Sequence, residues 1–251
     1  MVGLGPGDIS QLTHQARVAL AESEVIVGYR TYVDLIRKII DGKEVLVSGM
    51  RQEVARAKAA AELAASGRVV SVVCSGDPGV YGMAGLIFEV IRESGWQREN
   101  GIAVEVVPGI PALSAVASLL GAPLMHDFAA ISLSDLLTPW QVIARRLELA
   151  ALADFVIVLY NPTSTRRVAR FRESHQILSR HRGAETPVGI VRSAYREGQR
   201  VVLTDLRHLL EHEVDMLTTV VVGNSTTFSF EGLMVTPRGY GAKYDLTSSG
   251  E

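Results

Sequence analysis

Three short segments carry residue types suited to gripping a small ligand with the main chain. They are Val2-Gly3-Leu4-Gly5-Pro6-Gly7-Asp8, Ser75-Gly76-Asp77-Pro78-Gly79-Val80-Tyr81-Gly82, and Val107-Pro108-Gly109-Ile110-Pro111-Ala112. Each joins an apolar run to a stretch of helical periodicity. Glycine has no Cβ, so such loops bring backbone amides and carbonyls close to a ligand. The first segment departs from the dinucleotide fingerprint Gly-x-Gly-x-x-Gly, because Asp8 stands where the third glycine belongs. A carboxylate there repels a pyrophosphate seated on a helix N-terminus. Pro6 removes an amide that a phosphate nest would use, and no Lys-Ser/Thr pair completes a P-loop. Asp8 is placed either to cap the following helix or to meet a ligand. The second segment supplies amides, carbonyls and the carboxylate of Asp77, with no cation. It suits a ligand bearing positive charge, or an amine and hydroxyls, better than a phosphate.

The elements around these loops alternate in the α/β manner. Helices are predicted over 13–21, 32–40, 52–65, 82–93 and 111–120, and strands over 25–27, 44–47, 69–74 and 102–107. Buried parallel strands that end in glycine-rich loops place those loops at the carboxyl edge of a sheet, where such folds bind ligands. In the second half, strands are predicted over 128–133, 155–160, 188–192, 200–204, 218–222 and 233–236, and helices over 139–151 and 166–179. Strands spaced this closely imply a mixed sheet. The Gly121-Ala122-Pro123 interruption puts a domain boundary there, giving 1–122 and 123–251.

Composition narrows the function. With 47% apolar and 21% charged residues, the chain of 251 residues has the make-up of a globular protein with a real core. A net charge of -2 without a basic stripe argues against a nucleic-acid binder. The single cysteine, Cys74, rules out an internal disulfide and a multi-thiolate metal site, and no metal is expected. It lies in an apolar strand and reads as a small buried hydrophobe. No apolar stretch reaches membrane-spanning length and no secretory leader is visible, so a cytoplasmic protein is expected. Met1-Val2-Gly3-Leu4 reads as the stub of a first strand.

Three further motifs complete a pattern: Tyr160-Asn161-Pro162-Thr163-Ser164, Val188-Gly189-Ile190-Val191-Arg192-Ser193-Ala194, and Thr218-Thr219-Val220-Val221-Val222-Gly223-Asn224. With the glycine loops, in this order and from Val2 to about Tyr240, they resemble the tetrapyrrole methylases. The resemblance implies two α/β domains of the class III methyltransferase type. The N-terminal sheet would be mostly parallel and Rossmann-like, the C-terminal sheet mixed, with the ligand cleft between them. It implies S-adenosylmethionine as cofactor, S-adenosylhomocysteine as product, and a homodimer. Carried over by motif, the cofactor-binding residues are Pro6, Gly76, Asp77, Pro78, Val80, Tyr81, Pro111, Ala112, Tyr160, Asn161, Arg192, Ala194 and Thr218.

Gly28-Tyr29-Arg30-Thr31-Tyr32, Ser48-Gly49-Met50 and Ser132-Leu133-Ser134-Asp135-Leu136-Leu137-Thr138-Pro139-Trp140 resemble the members that methylate C17 of precorrin-3B and contract its ring to precorrin-4 in cobalamin synthesis. The cobalt-bearing counterpart and the C11 methylation of precorrin-4 are the alternatives within the family. A tetrapyrrole carrier without turnover and a nucleotide-dependent dehydrogenase are the alternatives outside the reaction. For a general base the candidates are Asp8, Asp135 and His126, each with a structural rival (helix cap, substrate contact, hinge histidine), and a ring acetate of the substrate is a fourth. A substrate rich in carboxylates calls for cations and hydroxyls, and Arg30, Ser132, Ser134, Arg166 and Arg192 are the expected contacts. Arg166 and Arg167 read equally well as the solvated face of a helix.

Overall fold

The computed structural model describes residues 1–49, 51–99, 101–163 and 168–247. The chain divides into two units, Met1–Ala112 and Leu113–Glu251. The division falls ten residues before the boundary expected from Gly121-Ala122-Pro123. The reason lies in the apolar helix that begins at Ala112: its Val116 and Leu120 are buried with Val156, Val158, Val221 and Met234, all of the second unit.

In the first unit the elements run β1 (Val2–Gly3), α1 (His14–Glu22), β2 (Val25–Tyr29), α2 (Arg30–Ile36), β3 (Glu44–Ser48), α3 (Glu53–Ala65), β4 (Val70–Cys74) and α4 (Ala84–Glu93). The strands form one sheet in the order β1-β4-β2-β3, and every pairing is parallel. Such a sheet needs helices on both faces. Ala16 and Leu20 of α1 and Val33 and Ile36 of α2 pack in one apolar cluster. Ala57 and Ala60 of α3 and Ile87 and Ile91 of α4 pack in another. The caps agree with the residues: the Thr13 hydroxyl accepts from Ala16 N at 3.1 Å and starts α1.

The fifth strand expected over 102–107 is reduced to a bridge between Val2 and Val107. β1 is two residues long, so there is little edge for it to pair with.

The second unit contains α5 (Ala112–Leu120), β5 (Gly121–Ala122), β6 (Phe128–Ser132), α6 (Trp140–Leu152), β7 (Val156–Tyr160), α7 (Val168–Ser179), β8 (Pro187–Arg192), β9 (Arg200–Asp205), β10 (Thr218–Val222), β11 (Phe228–Phe230) and β12 (Leu233–Val235). Its main sheet runs β6-β7-β10-β8-β9, with β6 and β7 parallel and the remaining pairs antiparallel. β5, β11 and β12 form a small second sheet. Side chains alternate across the main sheet with the period of two that strands require. Ile157, Leu159, Val188, Ile190, Val220 and Val222 meet α6 and α7 on one face. Val156, Val158, Val191 and Val221 meet α5 and Met234 on the other. Gly189 makes room there, since a Cβ on it would lie 2.4 Å from Leu120 Cδ1. Among the described residues no helix is long and apolar enough to cross a membrane.

Candidate functional site

Sheet connectivity singles out one place in the first unit. β1 leads into α1 and β4 leads into α4, and those helices pack in the clusters on opposite sheet faces. β1 and β4 are neighbours. Two adjacent strands whose chains leave to opposite faces mark a topological switch point, with a crevice beyond their carboxyl ends.

The three glycine segments converge at this point. Gly5 N donates to Gly76 O at 3.1 Å and Gly76 N to Gly5 O at 2.7 Å, joining the first two loops. Gly3 N donates to Val107 O at 3.0 Å, tying in the third. The approach is too close for side chains. A Cβ on Gly109 would stand 2.2 Å from Gly76 O, and one on Gly3 2.5 Å from Gly109 N. Pro111 and Ala112 approach the same spot, with Pro111 Cα 3.6 Å and Ala112 N 3.7 Å from where a Gly76 Cβ would be. Gly76, Asp77, Pro111 and Ala112 are therefore brought together as the loop pattern implies.

Asp77 spans the gap between two of the loops. One carboxylate oxygen accepts from Gly79 N at 2.7 Å and the other from Gly109 N at 3.1 Å. Pro78 O accepts from Ala84 N and Val80 N donates to Asp77 O, so the whole turn from Asp77 to α4 is held by its own backbone. Tyr81 sits at φ 53°, a left-handed conformation costly for a bulky residue, and is mostly exposed. Asp8 caps the short 3-10 turn Ile9–Gln11 by accepting from Ser10 N at 2.7 Å. That backbone bond, with the Ser10 side chain, holds its carboxyl below the ordinary value. Pro6 lies between Gly5 and Gly7 on the same loop.

In the second unit the motif residues share one edge of the main sheet. Ser132 ends β6 and Tyr160 ends β7 beside it. Arg192 ends β8, opposite Thr218 at the start of the antiparallel β10. The Tyr160 hydroxyl accepts from Leu113 N at 2.8 Å at the start of α5. Asn161, at φ 49°, donates through Nδ2 to Ser132 Oγ at 3.0 Å, and Ser134 N donates to the same oxygen at 3.3 Å. Ser193 and Tyr195 are also left-handed, at φ 51° and 55°. Strained non-glycine residues thus gather on these loops, as they do at ligand sites. Ala194 packs with Tyr160 and Leu113 against the buried cluster.

One residue missed in the sequence organises this edge. Asp215 accepts from Arg192 Nε at 2.7 Å through one oxygen, and from Thr218 Oγ1 at 2.8 Å and Leu217 N at 2.9 Å through the other. Burial pushes the Asp215 carboxyl up, but the bonds from Arg192, Thr218 and Leu217 outweigh it and leave it below the ordinary value. The Arg192 guanidinium is correspondingly pushed up by its hydrogen bond to Asp215. Arg192 is therefore not a spare cation; it reaches a ligand only with its outer N–H groups. The detectable signal was an Asp three residues before a strand Thr, a common turn-forming pattern.

Other expected residues lie apart. His126 precedes β6, at the opposite end of the sheet from Ser132, Tyr160, Arg192 and Thr218, and its Nδ1 accepts from Asp127 N at 2.8 Å. As a general base working with that edge it is misplaced, because a five-residue strand separates them. Asp135 pairs with Arg170 at 3.4 Å, and Arg170 also meets Glu173 at 3.1 Å and covers the Trp140 ring at 5.0 Å. Trp140 is accordingly buried in the core of its own unit. Arg166, with Arg167 and Ser164, lies outside the described residues. Arg30 directly follows β2 at the carboxyl edge of the first sheet and is exposed.

The glycine loops at the switch point carry no lysine or arginine, and Asp8 stands where a dinucleotide fingerprint has its third glycine. The comparisons decide the family: the model described as Tetrapyrrole (Corrin/Porphyrin) Methylases matches residues 1–210. The chain belongs to the tetrapyrrole methylases. Its methyl donor class is therefore S-adenosylmethionine, and a uroporphyrin-III C-methyl transferase from Thermus thermophilus, 26% identical with a TM-score of 0.63, is described as complexed with S-adenosylhomocysteine; it is covered over 95% of its length and covers 88% of this chain. The chain is 52% identical to the cobalt-factor III methyltransferase of Priestia megaterium over 99% of its own length and 46% of that relative. It is 46% identical to a probable cobalt-factor III C(17)-methyltransferase of Salmonella typhimurium over 96% of its own length and 98% of the relative. The crystal structure of the methyltransferase CobJ superposes with a TM-score of 0.88 at 38% identity, covering 94% of this chain and 98% of that one. The chain thus spans about half the length of the Priestia relative and nearly all of the other two.

Proposed function

We propose that this chain is an S-adenosylmethionine-dependent methyltransferase that acts at C17 of a corrin precursor in cobalamin synthesis, with precorrin-3B as acceptor and ring contraction coupled to methyl transfer. The observation that carries this reading is the backbone cradle at the β1/β4 switch point. Its glycines touch one another too closely for any side chain, and it offers amides and carbonyls without a cation. The donor set fits a ligand that is itself cationic. Bound S-adenosylmethionine would supply a methyl group on a sulfonium that leaves as a neutral thioether. In the first unit, the backbone at Pro6, Gly76, Pro78, Val80, Tyr81, Pro111 and Ala112 is assigned to holding it, with Asp77 keeping the loops in register. In the second unit the assignment is Tyr160, Asn161, Arg192, Ala194 and Thr218. Ser132, Ser134, Arg30 and Arg192 are assigned to the acceptor, along with Arg166 from the sequence.

Two of the candidate bases are assigned structural tasks in this reading. Asp8 has a depressed carboxyl and caps a turn, and Asp135 is paired with Arg170. The depressed carboxyl of Asp8 is a weak base near neutral pH. In this proposal the proton that the acceptor must lose goes to an acetate of the ring itself, and the chain's residues align the reactants and exclude water.

The names of the Priestia and Salmonella relatives favour a second reading, in which the ring carries cobalt. One experiment tests both. Each ring is incubated with methyl-labelled donor and the products are read by mass and NMR. Label at C17 of a contracted ring supports the proposal and tells the two acceptors apart. Bound but unlabelled ring points instead to a carrier.

A further inference from the structure

The carboxyl edge of the first sheet has two unlike halves. The loops leaving β1 and β4, with the 107–111 segment, hold Asp8 and Asp77 and no lysine or arginine. The exits of β2 and β3 carry Arg30, Arg51 and, one turn into α3, Arg56. The neighbouring acids are already engaged: Asp34 pairs with Arg37, and Glu53 accepts from Arg51 N.

We propose that Arg56 is the positioning residue of the β2/β3 half of this edge: it fixes Ser48 and Gly49 at the exit of β3 and supplies a positive charge there for the carboxylates of the tetrapyrrole, beside the contact already assigned to Arg30. The inference rests on the proposed corrin-precursor substrate.

Arg56 carries the argument. It is 6% exposed, yet its partners are all neutral. Nε donates to Ser48 Oγ at 2.6 Å, Nη2 to Gly49 O at 3.1 Å, and Nη1 lies 3.7 Å from Met83 Sδ. No carboxylate lies within ion-pair distance of it among the described residues. Gln52 finishes the loop by accepting from Gly49 N at 2.8 Å. A buried guanidinium without an anion loses its hydration and gains no Coulomb partner, so an apolar side chain would hold α3 at least as well. Three interactions also leave part of the five-donor fork unused. Both features make sense where an anionic ligand completes the site.

The test uses uroporphyrin III, its octamethyl ester and S-adenosylhomocysteine as probes, read by fluorescence quenching and calorimetry alongside thermal unfolding. Wild type is expected to bind the free acid well above the ester. R56M is expected to weaken uroporphyrin about tenfold, with S-adenosylhomocysteine changed less than about twofold, and R56K to restore part of the loss. R30Q changes an exposed side chain and keeps the fold, and is expected to weaken uroporphyrin about threefold with the same spared donor site. Uroporphyrin binding unchanged in R30Q and R56M, absent from wild type, or lost from R56M in proportion to S-adenosylhomocysteine overturns the proposal. If R56M does not fold, R30Q alone decides. Failure of wild type to bind S-adenosylhomocysteine, with uroporphyrin binding still dependent on these arginines, would sink the methyltransferase reading and leave this one standing.

Discussion

Replacing Gly109 by alanine places one methyl group where three loops meet. Its Cβ would lie 2.2 Å from Gly76 O and 2.8 Å from Gly3 C, both backbone atoms of neighbouring loops. Ordinary contact needs the loops to part by about 1 Å, and close-packed backbone has no soft side chain to yield. Overpacking of this kind costs about 1–3 kcal/mol. The same movement stretches the bond from Gly109 N to the Asp77 carboxylate, now 3.1 Å. A hydrogen bond to a charged group contributes about 1.5–3 kcal/mol, of which a stretched bond loses a part. The expected loss is about 2–4 kcal/mol, or a melting point lower by roughly 4–16 °C for a chain of this size. S-adenosylhomocysteine affinity, measured by calorimetry, should fall with it, since the amides of both loops move. Gly85→Ala is the control. Gly85 lies in α4, and nothing stands within 4 Å of its would-be Cβ. That variant should gain about 0.5–1 kcal/mol from helix propensity and keep its ligand affinity. A Gly109→Ala protein that melts within about 1 °C of wild type and binds as tightly would refute the convergence of the loops.

Two more outcomes follow from the second unit. Asp215→Asn should destabilise by about 1 kcal/mol near neutral pH, because the Arg192 bond loses its charge. The folded carboxyl is depressed, so its contribution is whole above the unfolded-state value of about 3.9 and fades as pH falls below it. Urea midpoints of wild type and variant should therefore converge in acid, and a gap that stays constant down to the lowest pH would contradict the assignment. Arg182→Met should cost about 3–5 kcal/mol. Its side chain, 3% exposed, bonds the carbonyls of Ala151, Phe155 and Gly223 and lies 3.2 Å from Asp154, so the change strands acceptors in α6, just before β7 and just after β10. A loss below about 1 kcal/mol by chemical denaturation would mean that water replaces the fork.

How much of this was legible in the residues depends on the range of the interactions. The α/β alternation, the parallel first sheet and the mixed second one were readable, because apolar periodicity is a local signal that burial on one or two faces imposes. The glycine loops were readable for the same reason: a position that tolerates no side chain must be glycine whatever the fold. That 102–107 forms only a bridge was not readable, since a strand needs a partner of matching length and β1 has two residues.

Side-chain assignments fared unevenly for a physical reason. Residue types and spacing determined that a glycine-lined edge without lysine or arginine was available and which loops made it. Which ionisable groups are free was decided by tertiary structure alone. Asp77 is spent on two backbone amides, Asp135 on Arg170 and Arg192 on Asp215, while His126 stands at the far end of its sheet. Conversely Arg56, unremarked in an alanine-rich helix, becomes a buried cation without an acid once β3 and α4 close over it. Pairing depends on distances of a few ångströms between residues far apart in the chain, and no one-dimensional pattern carries them.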